Sequence, residues 1–381
     1  MTSLNQPPRA RSPLVLKRRA EPRTTVVFDT LWRLATERQA IFFKRIAGRP
    51  RPWTDDPILS GFKFTNAYRA ADKTTQYLIR RVIYGGDPGP SEVFFRTILF
   101  KLFNRIETWQ LLVSSLGEPT VARFDPEQYS AVLEAARARG LSIYSAAYIM
   151  PPPQAPAPTA KHRGHLALLA GMLATGQADE IMRSRSLADV YRLLLGNPSF
   201  GKFLAYQLAI DLNYGPDLAF DEADFVVAGP GAHEGIEKCF SSRDDWTDED
   251  LIYWTVERQE REFDRLGLRF EDLWGRPLQP VDCQNLYCET AKYARVAHPD
   301  FTRPGGRSRI KQHFRAGASI GDPWFPPHWG LNEQVAEGLA RSRPADVHGD
   351  VVGSIGGEAS VRVGDFVRDP ASDERLLCGT A

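Results

Sequence analysis

The sequence predicts a mostly α-helical fold, and three observations lead to that prediction. Apolar residues recur at helical spacing over most of the chain, strand-like alternation is scarce before residue 345, and capping residues precede several apolar runs. The chain has 381 residues, of which 43% are hydrophobic. It can therefore bury one large core or two smaller ones.

The helices are predicted one by one from local signals. Asp125 precedes a proline and is expected to cap a helix that ends just before Gly140. Thr247 and Asp250 form a capping-box pattern at the start of a strongly charged helix. The predicted helices span residues 24–47, 64–84, 91–103, 125–139, 162–175, 186–195, 201–213, 247–266 and 282–298.

The composition along the chain predicts three parts. Residues 1–24 are rich in proline and arginine and are expected to form a disordered basic tail. Residues 25–335 are expected to form the helical domain, with two lobes if the proline-rich run 150–160 is a linker. Residues 336–381 are glycine-rich and predict a flexible tail, either disordered or carrying a small hairpin.

The charges and cysteines exclude some classes of protein. The net charge is only +1, but residues 1–60 carry 12 Lys/Arg against 5 Asp/Glu, which fits either a phosphate-bearing ligand or a solvated basic surface. None of the four cysteines has zinc-site spacing, and no apolar run reaches 18 residues. We therefore expect no metal, no cofactor, no membrane span and an intracellular location, cytoplasmic or, in a eukaryote, nuclear.

The turn between the helices at 186–195 and 201–213 is the most informative motif. A glycine-rich turn brings backbone N–H groups and a helix N-terminus close to a phosphate, so Gly196, Gly201 and Lys202 are predicted to bind nucleic acid. Ser199 stands where such a turn usually has its first glycine. The alternative is a simple connection between two helices of a bundle. A P-loop is excluded, because Phe203 replaces the Ser or Thr that would bind magnesium.

An acidic cluster begins twenty residues after Gly201. Asp221 and Asp224 are predicted to be catalytic, because a carboxylate can stabilise developing positive charge or accept a proton. The alternative for Asp221 is a turn or helix cap. The layout of helix, hairpin, helix and aspartate resembles the core of helix-hairpin-helix DNA glycosylases.

Further polar groups extend the predicted site. On the predicted helix at 64–84, Asn66, Arg69 and Lys73 share a face, which suits a base edge and a phosphate. The alternative is a helix N-terminus that Asn66 satisfies, with an ordinary salt bridge. The helix at 282–298 carries a second polar group, which is either part of a pocket or ordinary surface pairing. That group contains Gln284, Asn285, Lys292 and the predicted catalytic Glu289.

Two other segments permit two interpretations each. The turn Gly229-Pro230-Gly231 is either a second phosphate-binding nest or a helix-breaking loop. The aromatic and proline cluster from Trp324 to Trp329 either stacks on a base or seals an edge of the core.

Several sequence blocks together resemble one family, the helical domain of 5-hydroxymethyl-dUMP DNA kinases and the related alpha-glutamyl/putrescinyl thymine pyrophosphorylases, over about residues 25–330. The blocks are Trp53-Thr54-x-Asp56-Pro57-Ile58-Leu59, Phe62–Arg69 with Asp72 and Thr75-Gln76-Tyr77, Phe103-Asn104 with Glu107-Thr108-Trp109, Ala147–Met150, Asp211–Tyr214, Gly229-Pro230-Gly231, and Gln284–Glu289 with Lys292-Tyr293.

The resemblance implies a modified DNA glycosylase fold and a role in thymine hypermodification. The implied substrate is a flipped, pyrophosphorylated 5-hydroxymethyluracil base, either in DNA or as a modified thymine nucleotide, and an amine or amino acid would displace the pyrophosphate. The alternatives are a glycosylase that cleaves a modified base from DNA, and a noncatalytic binding module that partners a kinase. Since the sequence has no complete Walker A motif, DNA kinase activity of its own is not expected.

Overall fold

The computed structural model describes residues 20–146, 150–152, 160–303, 305–315 and 321–343. This part of the chain is mostly helical, as predicted, with one short antiparallel pair, β1 (Arg23–Thr24) and β2 (Phe240–Ser242). The α-helices are α1 (Val26–Ile46), α2 (Pro57–Gly61), α3 (Lys73–Tyr77), α4 (Pro90–Phe103), α5 (Ile106–Leu116), α6 (Pro126–Ala138), α7 (Lys161–Ala174), α8 (Gln177–Met182), α9 (Leu187–Leu195), α10 (Lys202–Asn213), α11 (Pro230–Cys239), α12 (Asp248–Glu257), α13 (Gln259–Arg265), α14 (Pro280–Ala297) and α15 (Asn332–Ser342).

Parts of the predicted tails and linker lie outside the described residues. These parts are residues 1–19 of the N-terminal tail, 153–159 of the proline-rich run, and 344–381 at the C-terminal end.

The core is built around α10 and α14. Every residue of α10 from Leu204 to Asn213 is buried, which explains why this helix has no polar face. Helix α9 packs along α10, while α14 packs against α1, α11 and α12. The predicted caps are present: Asp125 accepts hydrogen bonds from the first turn of α6, and Thr247 and Asp250 form the capping box of α12.

Glycines allow α11 to approach α14 at backbone contact distance. A Cβ on Gly231 would overlap the sulfur of Cys288, and a Cβ on Gly235 would overlap the backbone carbonyl of Tyr287. Helix packing therefore explains the turn Gly229-Pro230-Gly231, which begins α11. The helix-breaking loop is therefore wrong, because Pro230 and Gly231 lie in the first turn of α11, and the phosphate-binding nest stays a prediction.

The prediction of one long helix over 64–84 is wrong. This segment contains an irregular start, a 3-10 turn (Arg69–Ala71), α3, and a π-helical stretch (Leu78–Ile83). The backbone N–H of Asn66 donates to Asp72 Oδ1 at 2.8 Å, and its side-chain amide donates to the carbonyl of Ala71 at 2.7 Å. These local bonds replace helical ones. Asn66, Arg69 and Lys73 therefore do not share a helix face.

Other elements also differ from the prediction, and α2, α5, α8 and α11 have no predicted counterpart. The helix predicted at 247–266 is interrupted at Arg258, where α12 ends and α13 begins. The last helix was predicted at 282–298, but a further helix, α15, follows it and buries Val335 and Leu339.

The aromatic cluster seals an edge of the core, which is one of its two predicted roles. Phe325 is fully buried and stacks on Trp329, with 6.0 Å between ring centroids and an interplanar angle of 15°. Asn332 fixes this segment, because its side-chain oxygen accepts from the N–H of Phe325 and its amide donates to the carbonyl of the same residue.

Candidate functional site

A buried group of charges links α4, α10 and the segment before α3. The guanidinium of Arg69 lies 2.7 Å from one carboxylate oxygen of Asp211, and the amine of Lys101 lies 3.2 Å from the other. Asp211 is completely buried, and both cations are about 5% exposed. Charges at this depth need close partners, and two cations around one carboxylate provide them.

Arg69 is held from several sides. It donates to Gln207 Oε1 and to the hydroxyl of Tyr214, each at 3.0 Å, and its backbone N–H donates to Asp282 Oδ1 at 2.8 Å. Burial alone would lower the pKa of Arg69, but Asp211 raises it well above its ordinary value. Arg69 is therefore a fixed cation. All of its side-chain contacts lie inside the protein, which leaves it in a positioning role.

A second buried carboxylate lies at the aromatic edge. Glu222 is 3% exposed and pairs with Arg276 at 2.7 Å, and the guanidinium of Arg276 lies 3.9 Å from the ring centroid of Trp329. Burial raises the pKa of Glu222. Burial also raises the pKa of Asp282 to about 7, with a further contribution from Glu222. Among the described residues, no hydrogen-bond partner reaches the second oxygen of Glu222.

A short turn of residues 196–201, called the hairpin below, joins α9 to α10. Ser199 has a φ of 84°, a left-handed conformation that glycine adopts more easily, so the turn keeps the geometry of a glycine turn despite the serine. Gly201 precedes α10 with a φ of −73°, and a Cβ there would meet nothing within 4 Å. The fold itself does not require this glycine. Lys202, the first residue of α10, is exposed.

The acidic turn is attached to the opposite end of α10. The side-chain amide of Asn213 donates to the carbonyl of Phe220 at 2.9 Å, and its oxygen accepts from the N–H of Phe220 at 2.8 Å. Asp221 and Asp224 follow at the surface. Asp221 Oδ1 accepts from the N–H of Ala223 at 2.9 Å, so it is a cap as well as an exposed carboxylate.

The polar group on α14 is mostly buried. Glu289 is 8% exposed; it accepts from the backbone N–H of Thr65 at 3.0 Å and pairs with Lys292 at 2.6 Å. Gln284 is 1% exposed, whereas Asn285 is half-buried. Surface pairing therefore does not describe this group, since Glu289 holds the segment before Arg69 in place.

Asn66 and Lys73 lie apart from each other. Asn66 is 5% exposed and accepts a hydrogen bond from Arg38 at 2.9 Å. Lys73 is exposed at the start of α3. Burial raises the pKa of the neighbouring Asp72 to about 6. Asn66 thus organises the buried segment, and Lys73 is the member of the predicted trio that solvent reaches.

Sequence reasoning missed Asp211, Asp282 and the role of Glu222. Asp211 lies within an otherwise apolar helix, which is a signal for a buried partner. Asp282 stands three residues after Gln279 and forms a capping box with it, a pattern visible in the sequence. Glu222 has no such signal, because its ion-pair partner Arg276 lies far along the chain.

Several other features complete the description. Within the described part of the chain, no group of three or more His, Cys, Asp or Glu residues is arranged to hold a metal ion. Cys239, Cys283 and Cys288 are free thiols, and Cys378 lies outside the described residues. None of the described helices is long and apolar enough to cross a lipid bilayer.

The fold and the site define a helical domain in which α10 contributes Asp211 to a buried charged centre and holds an exposed acidic turn at its end. The chain belongs to the family described as "5-hmdU DNA kinase, helical domain", whose model matches residues 25–303. The 5-hmdU DNA kinase of Bacillus phage SP10 is 28% identical over 290 residues, which cover 70% of this chain and 45% of that protein. The chain thus spans less than half of that relative's length. No solved structure matches it.

Proposed function

We propose that this chain acts on a flipped 5-hydroxymethyluracil-derived base in DNA, in its pyrophosphorylated form, and transfers an amine to it with loss of pyrophosphate. The observation that carries this proposal is the pair of features at the two ends of α10. An open glycine hairpin lies at one end, and an exposed acidic turn is clamped by Asn213 at the other.

The hairpin provides the contact with DNA. The first backbone N–H groups of α10 have no partner within the helix and, with the helix dipole, favour an anion. The space in front of Gly201 lets a phosphate approach, and the amine of Lys202 adds a positive charge beside it. A base whose 5-substituent must react has to leave the stack, so flipping is part of the proposal.

The acidic turn provides the chemistry. The amine nitrogen forms a bond to the methylene carbon on C5, the bond from that carbon to the pyrophosphate oxygen breaks, and pyrophosphate leaves with the electron pair. Asp221 or Asp224 takes the proton that the amine loses, or stabilises positive charge on the methylene. Glu289 and Lys292 supply a second carboxylate and a second cation. Arg69, through its pair with Asp211, holds the segment before α3 against α10.

One observation favours a second candidate function. The relative from Bacillus phage SP10 is described as a kinase and is more than twice as long as the region it shares with this chain. A module that binds DNA or a modified nucleotide for a separate kinase would use the same hairpin without catalysis.

The test is mass spectrometry of nucleosides from 5-hydroxymethyluracil DNA, with and without its pyrophosphorylated form, after incubation with this protein and a mixture of amines. A new amine-bearing nucleoside is the expected result. Free base and an abasic site would identify a glycosylase instead. Unchanged nucleosides together with saturable DNA binding would favour the binding module.

The role of the acidic turn is tested by Asp221→Asn and Asp224→Asn. Asparagine keeps the oxygen that caps Ala223 but removes the charge, so Asp221→Asn should fold normally, bind DNA and lose turnover by about 100-fold or more. Asp125→Asn is the matched control, since Asp125 also caps a turn of helix and lies in a different part of the chain. Full activity in both Asp221→Asn and Asp224→Asn would remove this turn from the mechanism.

The role of the hairpin is tested by Gly201→Ala. A methyl group there meets no protein atom, so stability should be unchanged or slightly higher, while DNA affinity should fall by about tenfold because the methyl fills the phosphate approach. Gly171→Ala is the control, since its Cβ also meets nothing and Gly171 lies in α7. Equal DNA affinity for the two variants would contradict the hairpin contact.

A further inference from the structure

The segment that follows the family-matched region is strongly basic. Between residues 301 and 321 the sequence has five Lys/Arg and no Asp/Glu. The family model matches residues 25–303, so most of this segment lies beyond it. We name residues 305–315, the part that the structure describes, the basic strap.

The strap is held in a defined position on the domain. His313 forms an antiparallel bridge with Phe62, the N–H of Lys63 donates to the carbonyl of Gln312 at 2.9 Å, and the N–H of Phe314 donates to the carbonyl of Gly61 at 3.0 Å. Ile310 is 6% exposed and packs in a small apolar cluster with residues of α1 and α2. The backbone is therefore anchored at several points.

The cations of the strap point away from this anchor. Arg309 and Lys311 flank the buried Ile310 and are exposed, as are Arg307 and Arg315. None of these four side chains forms an ion pair with a residue that the structure describes. Four positive charges in a short segment repel one another, so the isolated domain gains no stability from them.

A second basic group joins the strap. The guanidinium groups of Arg45 and Arg51 lie 5.2 and 4.9 Å from the ring centroid of Trp53, and Arg51 also lies 5.3 Å from the ring centroid of Phe314. Burial lowers the pKa of Arg45, and the charge of Arg51 lowers it further. Positive charge and aromatic surface thus accumulate where the strap meets the end of α1.

We propose that the basic strap, with Arg45, Arg51 and Trp53, is a second DNA-binding surface that contacts the phosphate backbone. The inference rests on the proposed function in one respect, that the substrate is DNA and not a free nucleotide. In an extended segment, alternate residues such as Arg309 and Lys311 stand about 6.7 Å apart. At that spacing the two long side chains can reach neighbouring phosphates of one strand. Arginine and aromatic side chains together also suit contacts with nucleic acid.

The experiment measures the affinity of the full chain for a short fluorescein-labelled DNA duplex by fluorescence anisotropy, at several salt concentrations. The test variant is the double substitution R309Q/K311Q. The control is R137Q/R139Q, which removes the same charge from exposed arginines at the end of α6. Circular dichroism melting verifies that both variants are folded.

We expect R309Q/K311Q to bind about tenfold more weakly at low salt. The slope of log K against log salt concentration should fall by about 1.8, since each duplex phosphate contact contributes about 0.9. The control should bind as the unsubstituted chain does. An unchanged affinity and slope in R309Q/K311Q, an equal loss in the control, or a loss for an RNA duplex of the same sequence but not for DNA would each overturn the proposal.

The nucleoside assay separates the failure of this inference from failure of the proposed function. If R309Q/K311Q loses DNA affinity and no modified nucleoside forms with any amine, the strap binds DNA and the proposed chemistry is wrong. If modified nucleosides form and R309Q/K311Q binds DNA as the unsubstituted chain does, the chemistry stands and the strap proposal is wrong.

Discussion

Helix α10 has charged residues in two regions, one buried and paired within the protein and one exposed to solvent. In the buried centre, Arg69, Lys101 and Asp211 satisfy one another and are closed to solvent. At the ends of the same helix, Lys202, Asp221 and Asp224 are exposed. The comparison teaches which charged residues determine the fold and which are available to a ligand, because a buried charge stabilises only through its partners, whereas an exposed charge can exchange water for a substrate.

The largest effect should come from the buried centre. Asp211→Asn leaves two buried cations without their carboxylate and should lower the free energy of unfolding by about 3–5 kcal/mol. Urea unfolding monitored by circular dichroism measures this. The control Asp264→Asn changes an exposed carboxylate on α13 and should alter stability by less than about 0.5 kcal/mol. A loss below about 1 kcal/mol in Asp211→Asn would show that the centre is not an ionic anchor.

The glycines of the interior and of the hairpin should respond differently. Gly235→Ala forces α11 away from the backbone of α14 and should lower the free energy of unfolding by about 2–3 kcal/mol. Gly201→Ala, which meets open space, should not destabilise the protein. Thermal melting of the two variants measures the difference, and similar melting temperatures would contradict the close contact between α11 and α14.

The pH dependence gives a smaller effect that belongs to the buried segment. Burial raises the pKa of Asp72 from 3.8 to about 6, so the native state holds this proton over a pH range in which the unfolded state has lost it. Protonated Asp72 therefore contributes its full stabilisation of the folded state below the pKa of the unfolded chain. That stabilisation is lost as the pH rises towards 6. Asparagine carries no charge at any of these pH values. As the pH rises from about 4 to 7, the free energy of unfolding of Asp72→Asn should therefore increase by on the order of 1–3 kcal/mol relative to that of the unsubstituted protein.

Melting temperatures of Asp72→Asn and the unsubstituted protein, compared across that pH range, measure this change. A difference that stays constant with pH would mean that Asp72 has an ordinary pKa in the folded state.

The smallest effect should come from the hairpin. Ser199→Gly relieves a left-handed conformation and should raise the free energy of unfolding by up to about 1 kcal/mol. Denaturant unfolding measures it. A destabilising result would show that the hydroxyl contributes more than the conformation costs.

The sequence predicted the elements whose signals are local. Asp125 and Thr247 cap their helices within four residues, so their roles were visible without the fold. The prediction of one helix over 64–84 was wrong because polar groups of this segment bond to distant partners. The side chain of Asn66 accepts from Arg38, and the backbone N–H of Arg69 donates to Asp282. No periodicity in the sequence reveals such contacts.

For the candidate site, the sequence identified carboxylates and cations, but it did not show which of them are buried and which are exposed. Asp221 and Glu222 are adjacent carboxylates, yet one is exposed and the other is 3% exposed beneath Arg276. Arg69 was predicted to contact a nucleic acid from a helix face, but its side chain is buried and pairs with Asp211, which lies 142 residues away in the chain. Only the packing of α10 brings the two together.

The two hydrogen bonds of the Asn213 side chain, here called the clamp, attach the acidic turn to the helix that begins at the hairpin. Twelve residues of α10 separate them, a length of about 18 Å, which is roughly the rise of five base pairs. The clamp fixes both the N–H and the carbonyl of Phe220, so the turn cannot pivot independently of the helix. Because α10 is buried from Leu204 to Asn213, it holds its two ends at a fixed separation, and a ligand that contacts both must match that length.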